Sequence, residues 1–253
     1  MLRKLLNKAI TCDTNLRSLL NSSLISDKVT IASCINPHSC SVAFRNNYFY
    51  EALCASDIII PDGIGIEYAS KLYSGVNLKR VTGNTLFYTM MSILDKDSRS
   101  IYFLGATEKI NELIRKRCSN EYPNIKVVGT YAPSFSNTYS LEEKSDILHK
   151  INASKADVLF IGLTAPKQEI LSYELVNMGL NVKYCQGIGA MFDYYSSGLK
   201  KKNYERISKL RIEWLVRLVS NPKKMWRRTV VSLPIFLVYV LWESANEIFC
   251  RKN

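Results

Sequence analysis

Asp62 is where the chain most plainly offers chemistry. It follows the apolar run Ile58-Ile59-Ile60-Pro61 and precedes Gly63-Ile64-Gly65, so a carboxylate stands at the end of a buried strand beside glycines that let a ligand approach the backbone. A carboxylate so placed can take a proton from an incoming hydroxyl. The same position also suits a helix N-cap near Gly63, and the two roles are compatible. Gly63-Ile64-Gly65 and Gly187-Ile188-Gly189 both have the form of a phosphate-cradling turn. Neither completes G-x-G-x-x-G, because Tyr68 and Phe192 occupy the last positions, and the chain holds no G-x-x-x-x-G-K-S/T. The turns are compatible with a nucleotide phosphate but not with a standard dinucleotide or ATP site. Gln168, within Pro166-Lys167-Gln168-Glu169, carries both donor and acceptor and can orient a sugar hydroxyl or a phosphate. The block also reads as a plain helix start.

Metal chemistry finds little support. Asp95-Lys96-Asp97 has the D-x-D form used to hold a divalent cation, but it precedes the strand at Ser100 and so belongs to the opposite rim, as a solvated turn. The two histidines, His38 and His149, read as ordinary side chains, and the seven cysteines form no C-x-x-C pair. No metal and no cofactor are expected. The odd cysteine count and the lack of a signal peptide point to the reducing cytosol.

These residues need a frame. Candidate strands at 29–35, 57–60, 100–104, 125–129, 157–161 and 182–186 alternate with candidate helices at 38–54, 63–74, 84–95, 107–120, 140–152 and 166–178. That alternation predicts an α/β fold, a mostly parallel Rossmann-like sheet flanked by helices. In such sheets ligands collect beyond the carboxyl ends of the strands, which here are marked by Asn36-Pro37, the Asp62 turn, Gly105-Ala106-Thr107, the segment Gly162 to Glu169 and the Gly187 turn. Residues 133–139 read as a mobile loop.

The 253 residues carry a net +12, and residues 197–253 hold 13 Lys/Arg against 4 Asp/Glu. The expected division is an α/β catalytic core over 1–197 and a helical, basic, membrane-associating appendage over 198–253. Lys223-Lys224-Met225-Trp226-Arg227-Arg228 suits an anionic headgroup layer. The following apolar run at 230–242 is too short to span a bilayer, so it is expected to lie in the interface or re-enter, the alternative being a packed C-terminal helix. A basic α/β nucleic-acid-binding protein is the competing reading of the charge. The apolar continuation Pro234-Ile235-Phe236-Leu237-Val238-Tyr239 fits lipid better than a duplex. A nicotinamide-dependent enzyme is disfavoured by the incomplete glycine fingerprints.

Taken in order, Asn36, Asp57…Pro61-Asp62-Gly63-Ile64-Gly65, Arg80-Val81-Thr82-Gly83, Phe103-Leu104-Gly105, Pro166-Lys167-Gln168-Glu169, Gly187-Ile188-Gly189-Ala190-Met191-Phe192-Asp193, Glu213-Trp214-Leu215 and Asn221-Pro222…Trp226-Arg227-Arg228 resemble the WecG/TagA/CpsF glycosyltransferases, over about residues 10–228. The resemblance implies a metal-independent, inverting transfer of N-acetylmannosamine, its uronic acid or glucose. The donor is a UDP-sugar and the acceptor a polyprenyl-diphosphate-linked saccharide, at the cytoplasmic face of a bacterial membrane, for cell-surface polysaccharides such as teichoic acid, capsule or exopolysaccharide. Carried over by position, Asp62 is the general base. Asn36, Arg80, Thr82, Gly83, Gln168, Gly187 and Gly189 bind substrate, and Arg217, Lys224 and Arg227 of the appendage meet the diphosphate. The chain departs from the family with Cys34 where Thr is common, Thr85 where Asp is common and Lys224 where Arg is expected. Whether it forms a homo-oligomer is left open.

Overall fold

Six strands rich in β-branched and aromatic residues form one sheet. They are β1 (Thr30–Ile35), β2 (Ile58–Pro61), β3 (Ser100–Gly105), β4 (Lys126–Tyr131), β5 (Val158–Gly162) and β6 (Tyr184–Gly187). The sheet order is β2-β1-β6-β5-β3-β4 and every pairing is parallel. The computed structural model describes residues 1–10, 14–73, 78, 81–136, 138–198, 226 and 231–252.

Because successive strand residues face opposite sides, each strand feeds two layers. Ile58, Ile60, Ile101, Phe103, Val158, Phe160 and Tyr184 pack on one face, against α2 (Leu16–Ile25), α6 (Gly83–Lys96), α7 (Glu108–Glu121) and α10 (Met191–Ser196). Ile35 and Ile59 on the other face join α1 (Leu2–Lys8), α3 (Pro37–Ala43), α4 (Asn47–Ala55), α5 (Ile64–Tyr73) and a C-terminal helix, α11 (Ser232–Lys252). Tyr102, Leu104, Leu159 and Ile161 pack on that face with α8 (Leu141–Ser154) and α9 (Lys167–Asn177). A buried Phe such as Phe103 or Phe160, stacked with ring centroids 5.8 Å apart, contributes about 1.5–3 kcal/mol by its burial.

The expected strands lie within about two residues of those observed. The expected helix over 38–54 is two helices, because Phe44 ends α3 and Asn46 starts α4 by accepting the Phe49 N–H at 3.0 Å. Helices α1, α2 and α10 were not foreseen.

The rim opposite the ligand-binding side is structural. Asp157 accepts from Ser100 N at 2.8 Å, Ser100 Oγ at 2.7 Å and Arg99 at 3.0 Å, which locks β5 beside β3. Burial pushes its carboxyl up, but these hydrogen bonds and the Arg99 charge outweigh that and hold it below the ordinary value. Asp95 lies at this rim too, its carboxylate accepting the Asn124 N–H at 3.0 Å.

The C-terminal helix carries apolar residues on both its buried and its exposed side. Phe236 and Val240 are buried in the core layer, Tyr239 stacks on Phe44 at 3.9 Å, and Ser232 joins His38 Nδ1 at 2.7 Å. Leu233, Leu237, Val238, Leu241 and Trp242 remain exposed. Residues 231–242 are therefore partly a packed helix, as in the alternative raised for this run, with an apolar side left exposed. No described helix is long and apolar enough to cross a membrane.

Candidate active site

The carboxyl ends of the strands enclose a cavity of about 450 Å³, a volume in the range of small-ligand sites. All five loops marked in the sequence contribute, through Asn36, Asp62, Ala106 and Thr107, Gly162 to Glu169, and Gly187 to Ala190. A sixth wall was missed. Pro133, Ser134, Phe135, Ser136 and Tyr139 also line the cavity, although the segment was read only as a mobile loop. Ser134 is tied to Glu143 by 3.3 and 2.7 Å bonds, and Lys167 Nζ donates to the Ser136 carbonyl. Its position after β4 was the available signal, since every post-strand loop of a parallel sheet emerges on the same rim.

Asp62 follows β2 directly and is half-buried on the cavity wall. Its N–H donates to the Ile35 carbonyl at 2.8 Å, extending the β1–β2 ladder by one bond and fixing the backbone that carries the carboxylate. Helix α5 begins at Ile64, after Gly63 at φ +104°, so Gly63 and not Asp62 precedes the first helical residue. Val81 N–H donates to the Pro61 carbonyl at 3.2 Å, which brings the entrance of α6 alongside Asp62.

Asn36 caps α3. Its Oδ1 accepts the Ser39 N–H at 3.0 Å while Ser39 Oγ accepts the Asn36 N–H at 2.7 Å, a reciprocal capping box. With the oxygen committed, the group it can offer a ligand is the amide NH₂. Gln168 is 7 % exposed and engaged at both ends, its Oε1 accepting the Gly189 N–H at 2.9 Å and its Nε2 donating to Glu169 at 2.8 Å. It holds the Gly187–Gly189 turn in place. Gly187 is required for that contact, because a Cβ there would lie 2.8 Å from Gln168 Cδ.

Thr82, expected to bind substrate, sits behind the wall rather than on it. Thr82 is buried and does not line the cavity. It is the N-cap of α6, its Oγ1 accepting the Thr85 N–H at 3.1 Å, which turns the hydroxyl onto its own helix. Gly83 lines the wall, with Cys34 Sγ 3.0 Å from where its Cβ would sit. Arg80, Arg217, Lys224 and Arg227 lie outside the described residues.

Among the described lining residues the charges are Asp62, Glu169 and Asp193 against Lys167, the one lysine or arginine there. A ligand diphosphate would need further positive charge. Burial pushes the thiols of Cys40, Cys118 and Cys185 up to about 12, which keeps them protonated and poorly nucleophilic. Among the described residues no group of three His, Cys, Asp or Glu could hold a metal ion.

The model of the Glycosyl transferase WecG/TagA/CpsF family matches residues 5–248. A Bacillus subtilis strain 168 protein named N-acetylglucosaminyldiphosphoundecaprenol N-acetyl-beta-D-mannosaminyltransferase is 28% identical over 238 residues, covering 92% of this chain and 88% of the relative. Proteins of the same name from Bacillus spizizenii and Staphylococcus aureus MRSA252 are 29% and 27% identical over 206 residues. The first match covers 81% of this chain and the second 80%, each taking in 76% of the relative.

Proposed function

The chain belongs to the WecG/TagA/CpsF family and is a glycosyltransferase, and from that premise we propose that it moves an N-acetylmannosaminyl residue from a UDP-sugar to a polyprenyl-diphosphate-linked N-acetylglucosamine, with inversion and without a metal ion. The observation that carries this reading is Asp62, held half-buried by the β1–β2 ladder on the wall of the rim cavity.

In the proposed step Asp62 accepts the proton of the acceptor hydroxyl. The freed oxygen forms a bond to the anomeric carbon of the donor sugar as the bond from that carbon to the diphosphate oxygen breaks, and UDP departs with the electron pair. Negative charge then grows on the leaving diphosphate. Lys167 can meet it from within the cavity, and Arg217, Lys224 and Arg227 are assigned the same task from the appendage, arginine presenting a two-pronged fork to phosphate and lysine a point charge. Asn36 contributes its amide NH₂, and Gln168 acts as a positioning residue for the Gly187–Gly189 turn.

Metal independence is supported by the place of the D-x-D pair, whose Asp95 is bonded to Asn124 at the far rim. Turnover is expected to stay within about twofold when EDTA replaces added Mg²⁺ or Mn²⁺ at millimolar concentration, followed by mass of the lipid product. Loss restored by metal would reject it. Gly187→Ala is expected to displace Gln168, costing about 1–3 kcal/mol of stability from overpacking and lowering kcat/KM about tenfold or more. Thermal unfolding and turnover measure the two effects.

The chain is further proposed to act at the cytoplasmic face of the membrane as a peripheral protein. The exposed side of α11, with Leu237, Leu241 and Trp242, supplies apolar contact, and the basic tail supplies attraction to anionic lipid. The direct test is a screen of UDP-sugars against a short polyprenyl-diphosphate N-acetylglucosamine. Transfer of no sugar to that acceptor would reject the proposed reaction.

A further inference from the structure

Asn84, the second residue of α6, lines the cavity and is 6 % exposed. Its Nδ2 finds no hydrogen-bond acceptor among the described residues. A buried amide donor left without a partner is costly and uncommon in folded proteins, which makes this atom a candidate for one supplied by a ligand. A second donor set lies beside it. Thr82 satisfies two N–H groups of the first turns, taking Thr85 N–H on its hydroxyl at 3.1 Å and Leu86 N–H on its carbonyl at 3.2 Å. Gly83 and Asn84 occupy the first two positions of the helix, where no carbonyl of the same helix can accept. The positive end of a 14-residue helix and a neutral amide donor thus lie together on one wall of the cavity.

The surroundings decide its kind. Cys34 Sγ closes one side, 3.0 Å from the Cβ position of Gly83, and the cavity's described carboxylates outnumber its one ammonium. An anionic oxygen at this corner would meet no side-chain cation among the described lining residues except Lys167, on another helix. A neutral carbonyl flanked by a methyl group needs no such cation and suits the space beside Cys34 Sγ and Gly83. We propose that Asn84 and the N-terminus of α6 bind the acyl carbonyl of a 2-acetamido sugar, and so select for that group. This rests on the proposed function, in which both sugars carry an acetamido group. The bond from Val81 to Pro61, at 3.2 Å, keeps this corner next to Asp62, so the sugar concerned is one that reacts there.

The test uses the full chain with Asn84→Asp, which exchanges the NH₂ for an acceptor at almost constant shape, and Asn84→Ala. UDP-sugars with and without the 2-acetamido group are crossed with lipid-diphosphate acceptors with and without it. Both variants are expected to lose about tenfold or more in kcat/KM only where the recognised acetamido group is present, the donor or acceptor arm identifying which sugar carries it. Asn84→Ala is expected to unfold at a temperature no lower than wild type, since the donor it removes has no partner among the described residues. Equal losses on every substrate, or no loss on any, would overturn the assignment. If the wild type transfers neither class of donor, the proposed function fails by itself, and the ¹³C shift of an acetyl-labelled UDP-N-acetylhexosamine then tests Asn84 alone. A carbonyl shift that differs between wild type and Asn84→Ala supports the contact, whereas an identical shift or no binding removes it.

Discussion

Asp62→Asn is expected to lower kcat by about 10²–10⁴-fold, the range for losing a positioned general base, with KM for the donor changed little. The substitution keeps shape and volume, and the Asp62 N–H to Ile35 carbonyl bond is a backbone interaction that survives it. Folding should therefore be preserved, and unchanged thermal unfolding is part of the expectation. The split between kcat and KM matters because a residue that only bound substrate would raise KM. Asn can still donate to and accept from a sugar hydroxyl, but it cannot take the proton. Near wild-type turnover in Asp62→Asn would remove the base from the proposed mechanism and leave Asp62 as a wall residue.

The two sides of α11 are expected to separate stability from membrane attachment. Phe236 is 1 % exposed, and its ring lies 3.5 Å from the Cβ position of Gly65, in the first turn of α5 just beyond Asp62. Phe236→Ala should cost about 3–5 kcal/mol, seen as a lower unfolding midpoint, and should lower turnover because the helix behind Asp62 loses its support. Leu237 and Leu241 are 50 % and 65 % exposed. The double substitution Leu237→Ser with Leu241→Ser should leave stability within about 0.5 kcal/mol per site while reducing flotation with vesicles of phosphatidylcholine and phosphatidylglycerol. Unreduced flotation of the double variant would take the exposed side of α11 out of the proposed membrane contact.

The candidate site was legible where its residues are marked by local rules. Asp62 is found from a β-branched run that ends before glycines, and Gly187 from a strand end followed by a turn. Asn36 and Gln168 were visible as residue types but not as what they are, a cap and a brace, because those roles depend on Ser39, Glu169 and Gly189 being in reach. The cap made by Thr82 was not visible either, because it depends on its hydroxyl turning to Thr85. Asn84 went unnoticed beside it, since nothing in one chain of letters tells a satisfied amide from a buried one lacking a partner.

By itself the sequence determined the six strands, the α/β class and the rim on which chemistry collects, because strand and helix periodicities and glycine-marked turns are properties of neighbouring residues. The order β2-β1-β6-β5-β3-β4 was decided by tertiary pairing between distant segments. That order carries the loop after β4 into the cavity wall. The fate of the apolar residues 231–242 was decided there too. Hydrocarbon and a protein core are both dry, apolar solvents, so a row of Leu, Val and Phe suits either. Only packing against α3 shows that Phe236 and Val240 are buried in the protein while Leu237 and Leu241 remain outside it.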